Sequence, residues 1–274
     1  MINMIDISND EFLLLADFIK ENSGITLRDE KKTLLVARLG KILNDKGLQS
    51  FMEYYKILKD DINGKELSQL VDKITTNHTY FMRESEHFSY FSREVLPKLE
   101  RTVRDGDIRV WCAASSSGEE PYSLAMIMAD YFKGYETIWN KKLLATDLSH
   151  SILEAAKAGI YTKEQIAKLP QVWVLNYFDR LDEHNFSIKP QLKEEVVFRR
   201  FNLLEPVFPF RHKFHVIFCR NVMIYFDSVT KDALIDKFYN ALEPGGYLFL
   251  GHTESLNRDK TRFEYICPAV YRKP

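Results

Sequence analysis

Three cysteines, Cys112, Cys219 and Cys267, are too few, too far apart and odd in number for a disulfide framework. Two lie inside apolar, strand-like runs, so all three read as reduced, buried thiols. His78, His87, His212, His215 and His252 are scattered and show neither HExxH nor CxxC spacing, so no metal is expected. Lys and Arg number 38 against 39 Asp and Glu, for a formal net charge of -1, and this lack of basic excess argues against nucleic acid. No apolar run approaches the length of a bilayer span. The opening MINMIDISNDEF has neither a basic n-region nor an apolar h-region, so a cytoplasmic location without direct membrane insertion is expected. No internal repeat or low-complexity tract appears, and nothing requires more than a monomer.

With 45% hydrophobic and 28% charged residues, the chain has the composition of a globular protein able to bury a large core in one or two domains. It is organised around DIRVWCAASSSGEEPYSL, Asp107 to Leu124. Here an apolar run passes into a small-residue turn and then into a helix start, the pattern of a nucleotide-type α/β unit. A dinucleotide fingerprint would carry three glycines, but only Gly118 is present, with Glu119 and Glu120 beside it. Two acids at a helix start favour a ligand with donors and positive charge, such as an amino group or a sulfonium, over a pyrophosphate.

Before this unit the spacing is helical. Ser8 with Glu11 forms a capping box, and helices are expected to Gly24, over about Asp29 to Lys46, over Ser50 to Lys59 and over Gly64 to Ile74. Lys31, Arg38 and Lys41 lie on the outer side of the second helix, as a solvated face or as a docking patch for an acidic helix. Thr75 to Arg83 breaks the pattern, as a linker or as a cover over the pocket defined by the turn. A helix from Glu84 to Arg104, interrupted near Pro97, leads into the strand–helix alternation. The second strand ends in Asp147, where doubly wound sheets grip ribose hydroxyls. Phe186 to Ile188 and Val196 to Arg200 read as two strands around a polar turn, forming a small β insertion. His215 to Cys219 is a core strand, and Tyr247 to Leu250 and then Tyr265 to Tyr271 close the sheet.

Taken together, TTNHTYFMRESEHF, RVWCAASSSGEEPYSLA, LATDLSHSILEAAKAGIY, FNLLEP, FHVIFCRNVMIYF and LEPGGYLFLGHTES resemble the CheR chemoreceptor glutamate methyltransferases. The resemblance implies a small all-helical N-terminal domain at 1–76. It implies a doubly wound, mostly parallel α/β domain of the S-adenosylmethionine-dependent methyltransferase type at 77–274, with a short antiparallel β insertion at about 178–202. The implied activity is methyl transfer from S-adenosylmethionine to glutamate carboxylates on the cytoplasmic helices of methyl-accepting chemotaxis receptors, leaving S-adenosylhomocysteine. In some members the insertion binds a short peptide at the receptor's C-terminus, and an exposed edge at Phe186 to Arg200 is the expected counterpart here.

The resemblance puts Asn77, Thr79, Arg83, Glu120, Asp147, Asn202, Leu203, Arg220 and Asn221 on the cofactor, and Arg83 and Tyr225 near the transferred methyl or the incoming carboxylate. Arg83 would grip the carboxylate of either the cofactor or the substrate. Tyr225 would hydrogen-bond a carboxylate oxygen or face the sulfonium with its ring. No general base is needed, because the acceptor glutamate is ionised at neutral pH. A segment of the Asn/Asp-Pro-Pro-aromatic type, expected of an amino-group methyltransferase, is replaced by CRNVMIYF. The reading from another class is a signalling module that senses S-adenosylmethionine without catalysis.

Overall fold

The computed structural model describes residues 5–75, 78–135 and 138–274. The N-terminal part is helical: Asn9–Ser23, Lys32–Asp45 preceded by a 3-10 turn, Phe51–Lys59 and Lys65–Ile74. Local chemistry sets these ends. The Ser8–Glu11 capping box opens the first helix and Gly24, at φ 76°, closes it, while Ser50 caps the third.

The rest of the chain builds two sheets. Strands β1 (Val110–Cys112), β2 (Leu143–Asp147), β6 (Val196–Arg200), β7 (Phe214–Cys219), β8 (Leu242–Leu250), β9 (Glu264–Cys267) and β10 (Val270–Arg272) form a seven-stranded sheet. Its order is β6-β2-β1-β7-β8-β10-β9. Pairing is parallel from β6 through β8 and antiparallel for β10 with β8 and β9. A second sheet holds β3 (Ile160–Thr162), β4 (Phe178–Arg180) and β5 (Asn185–Ile188), with β5 in the middle.

Three expectations are corrected. Val196 to Arg200 does not pair with Phe186 to Ile188. It is the edge strand of the main sheet, parallel to β2 from Leu143↔Val196 to Asp147↔Arg200. Pro190 starts a short helix over Pro190–Lys193, so the chain makes a crossover instead of a hairpin turn. Accordingly Phe186 to Ile188 is not an exposed edge, and the edges of the small sheet are β3 and β4. The run from Tyr265 to Tyr271 is two antiparallel strands, reversed at Pro268 and at Ala269, whose φ is 58°.

Alternation along β1 divides the core. Val110 and Cys112 enter the cluster formed with the helices Ser85–Tyr90, Leu96–Thr102 and Glu119–Tyr131. Trp111 and Ala113 enter a second cluster shared with the N-terminal helices and the helix Ser228–Ala241. Trp111 is fully buried among Phe201, Phe208, Phe210, Phe214 and Phe238, and its indole N–H donates to Thr146 Oγ1 at 2.9 Å. The helical part therefore packs on one face of the sheet through a continuous apolar cluster. Ahead of Pro97, residues Phe91–Val95 form a π turn, which accommodates the missing proline N–H.

Candidate active site

Strand order reverses between β1 and β7, and the crevice at their C-terminal ends is where such sheets bind ligands. A cavity of about 300 Å³ opens there. It is bounded by the loops after β1, β2, β6 and β7, by Ser23, Ile25, Val71 and Thr75 of the helical part, and by His78 and Thr79 of the segment between them. The described residues Thr75, His78, Thr79 and Arg83 of that segment thus belong to the pocket wall. Thr79, Arg83, Glu120, Asp147, Asn202, Leu203, Arg220, Asn221 and Tyr225 all line the one cavity. Asn77 lies outside the described residues.

Asp147 ends β2 with each carboxylate oxygen accepting one backbone N–H, from Ser116 (2.9 Å) and from Ser149 (3.0 Å). Burial pushes its carboxyl above the usual range, against the lowering effect of those two bonds. Asp147 lines the cavity, and each of its carboxylate oxygens keeps a further lone pair able to accept a hydroxyl. Towards β6 the wall is Phe201 and Leu203 with Ile25, Val71 and Phe226, an apolar slot. Asn202 lines the cavity, and its amide donates to the Asn22 carbonyl (2.8 Å) and accepts from Leu204 N–H (3.0 Å), tying the helical part to the pocket. Arg200 adds to that tie, donating to the carbonyls of Leu148, Asn63 and Gly64.

The β7 side is charged. Arg220, with 1% of its side chain exposed, reaches Glu120 at 2.6 Å and Glu84 at 3.0 Å, and also donates to the Arg83 carbonyl. Burial alone would raise the Glu84 carboxyl. Hydrogen bonds from Asn221 and Arg220, with the charge of Arg220, outweigh it and hold the group below the ordinary range. The adjacent acids of the turn have separate fates. Glu120 faces the cavity, whereas Glu119 is buried on Ser117 Oγ (2.7 Å) and raised by that burial. Gly118 has φ 99°, and a Cβ there would lie 2.7 Å from the Tyr161 hydroxyl, so its role is the turn's packing against Tyr161.

Met82, Glu84, Ser116 and Asn221 all have positive φ, between 47° and 59°, and all four belong to the loops around this cavity. Such strain persists where surrounding bonds over-determine it. Met82 N–H donates to Ser123 Oγ (3.1 Å) and Ser116 N–H to Asp147 (2.9 Å), while Asn221 is held by Glu254, which accepts the N–H groups of Gly251 (2.7 Å), Asn221 (2.8 Å) and Ile224 (3.2 Å). Sequence reasoning missed Glu84 and Glu254. They stand in the segments Arg83-Glu84-Ser85 and Thr253-Glu254-Ser255, which carry no spacing signal, and only the fold brings them to the side chain and the backbone of Asn221.

Among the docking candidates, Lys31 and Lys41 are exposed. Arg38 is half-buried, and its Nη1 donates to the carbonyls of Lys73, Ile74 and Thr75, capping the end of the helix Lys65–Ile74.

The family model for the CheR methyltransferase SAM binding domain matches residues 77–271, and that for the CheR methyltransferase all-alpha domain matches residues 10–75. The chain belongs to the CheR methyltransferase family. A chemotaxis protein methyltransferase of Borreliella burgdorferi is 42% identical over 272 residues, 98% of this chain and 96% of that protein. Chemotaxis protein methyltransferase 1 of Pseudomonas aeruginosa is 34% identical, covering 94% of this chain and 95% of its own. The Escherichia coli chemotaxis protein methyltransferase is 34% identical, covering 99% and 93%. As a CheR-family chain, this is a methyltransferase with an S-adenosylmethionine-binding domain, and none of its described helices is long and apolar enough to cross a membrane.

Proposed function

We propose that this enzyme methylates glutamate side-chain carboxylates on the cytoplasmic helices of chemoreceptors, forming methyl esters. The observation that carries the reading is the three-part cavity: an apolar slot at β6, the Asp147 carboxylate at β2, and the Arg83, Glu120, Arg220 and Tyr225 group at β7. That sequence of surfaces suits an adenine, a ribose and an amino-acid end carrying a sulfonium. The buried hydroxyl of Ser116, which lines the cavity with no protein partner, further suits a polar ligand there.

Bound S-adenosylmethionine supplies a methyl group activated by the sulfonium. Asp147 accepts the ribose hydroxyls, and Glu120, fixed by Arg220, sets negative charge beside the ligand's positive groups. Arg83 holds a carboxylate with its planar fork, and its Nη1 is steadied by the His78 carbonyl at 2.5 Å. Tyr225 lines the same cavity, its carbonyl held by Thr26 N–H at 2.8 Å, which links its position to the helical part. Since the nucleophile is already ionised, these residues align reactants and exclude water, and none removes a proton. Lys31 and Lys41 form the edge that meets an acidic receptor helix, and the edges of β3 and β4 are open to strand addition by a receptor segment.

Labelled methyl transfer to chemoreceptor-containing membranes, followed by mild alkali, tests this. Base-labile label released as methanol is expected. Arg83→Ala should lower turnover at least about tenfold without equal loss of stability, and Lys31→Ala should weaken receptor use while leaving cofactor binding intact. Cofactor binding without transfer would overturn the reading in favour of a sensing module.

A further inference from the structure

Beside the pocket, and outside the roles given above, lie two histidines distant in sequence. The donor atoms of Glu84, His87 and His252 all fall within 4.8 Å of one another. His87 is 2% exposed, its ring nitrogens make no well-formed hydrogen bond, and the Pro268 carbonyl and the Glu84 carboxylate are polar groups beside them. A buried imidazole so poorly satisfied is costly unless something else engages it. Its Nδ1 stands 3.5 Å from Glu84 Oε2, close to the edge of about 3.3 Å spanned by two ligands of a tetrahedral zinc ion with bonds near 2.0–2.1 Å. The His252 ring meets the His87 ring edge-on with centroids 4.7 Å apart. His252 is exposed and gives the cluster an entry from solvent, from which water can complete the shell.

We propose that Glu84, His87 and His252 bind one borderline divalent transition-metal ion of the Zn²⁺ type, and that its binding inhibits methyl transfer. The donors, two imidazoles and one carboxylate, suit Zn²⁺ and not Mg²⁺ or Ca²⁺, which need shells of oxygen. Inhibition follows from Glu84: the Oε2 facing His87 is the oxygen that holds Arg220, at 3.0 Å, and its Oε1 holds Asn221, at 3.1 Å. An ion drawing on that carboxylate competes with Arg220 for it and so loosens the wall formed by Arg220, Glu120 and Arg83. The inhibition limb rests on the methyl-transfer reading, whereas the binding limb does not.

The test uses the full, untagged, chelator-stripped chain carrying Cys267→Ser, to remove the half-buried thiol as a competing ligand. Zn²⁺ and Mg²⁺ are titrated calorimetrically, and Co²⁺ is followed by its visible absorption. The expected result is one Zn²⁺ per chain, tetrahedral Co²⁺ bands, no Mg²⁺ binding, and at least about tenfold weaker Zn²⁺ binding in both His252→Ala and His87→Gln. His252→Ala should also keep its metal-free rate and escape Zn²⁺ inhibition. Absence of Zn²⁺ binding, or binding unchanged by His252→Ala, overturns the site. Binding as expected with a Zn²⁺-insensitive rate overturns the inhibition alone. Absence of methyl transfer from the metal-free chain would instead sink the functional reading and leave the binding result standing.

Discussion

Replacing Arg220 by methionine keeps an extended side chain beside Phe88 and removes the charge that Glu84 and Glu120 share. Both carboxylates are 14% exposed, so water replaces the guanidinium poorly, and removing one partner of such a buried group costs about 3–5 kcal/mol. For a chain of this length that corresponds to a melting point lower by roughly 10 °C. The pH dependence identifies the cause. In the native protein the folded Glu84 pKa lies below its unfolded value of about 4.3, so its contribution is present above that value and is lost as pH falls. Without Arg220, burial dominates and the folded pKa rises above the unfolded one. The variant's deficit then accumulates as pH climbs from about 4.3 towards the new pKa, at about 1.4 kcal/mol per unit of rise. Calorimetric unfolding at pH 5, 6 and 7.5 should show a deficit that grows with pH. An equal deficit at all three would refute the electrostatic account and point to lost packing on Phe88.

Three further outcomes are expected. Gly118→Ala, forced to φ 99° against the Tyr161 hydroxyl, should cost about 2–4 kcal/mol in unfolding, with part of it recovered by adding Tyr161→Phe. Asp147→Asn should weaken S-adenosylmethionine binding about 10–100-fold by calorimetry, from the loss of charge-assisted bonds. Because burial raises the Asp147 pKa, native affinity should also fall with decreasing pH at a point where ordinary carboxylates remain ionised, an inflection that the Asn variant lacks, while turnover at saturating methyl donor stays nearly flat around neutrality. Glu254→Gln replaces the acceptor of three backbone N–H groups by an amide offering one oxygen, and should cost about 1.5–3 kcal/mol and speed amide exchange at Asn221 and Ile224.

What the amino-acid order alone determined is what depends on near neighbours. Helix ends were legible because Ser8 with Glu11, Ser50 and Gly24 act within one turn. The turn Ser115 to Gly118 and the acid ending β2 were legible because strand, turn and helix follow each other directly, and the family's segments, continuous in sequence, carried the methyltransferase reading with them. Tertiary structure decided whatever depends on partners far apart. Periodicity of two marks Val196 to Arg200 as a strand but is the same for either partner, and Pro190 with the open edge of β2 sent it to the main sheet. Arg38 has the spacing of an outer residue, yet the end of another helix lies within reach of its fork. Glu84, Glu254, His87 and His252 show no local pattern, since their bonds and their clustering arise only where the loops after β7 and β8 fold against the start of the helix Ser85–Tyr90. A side chain's identity limits what it can bind, but only the closed fold sets which groups stand within 3 Å of it.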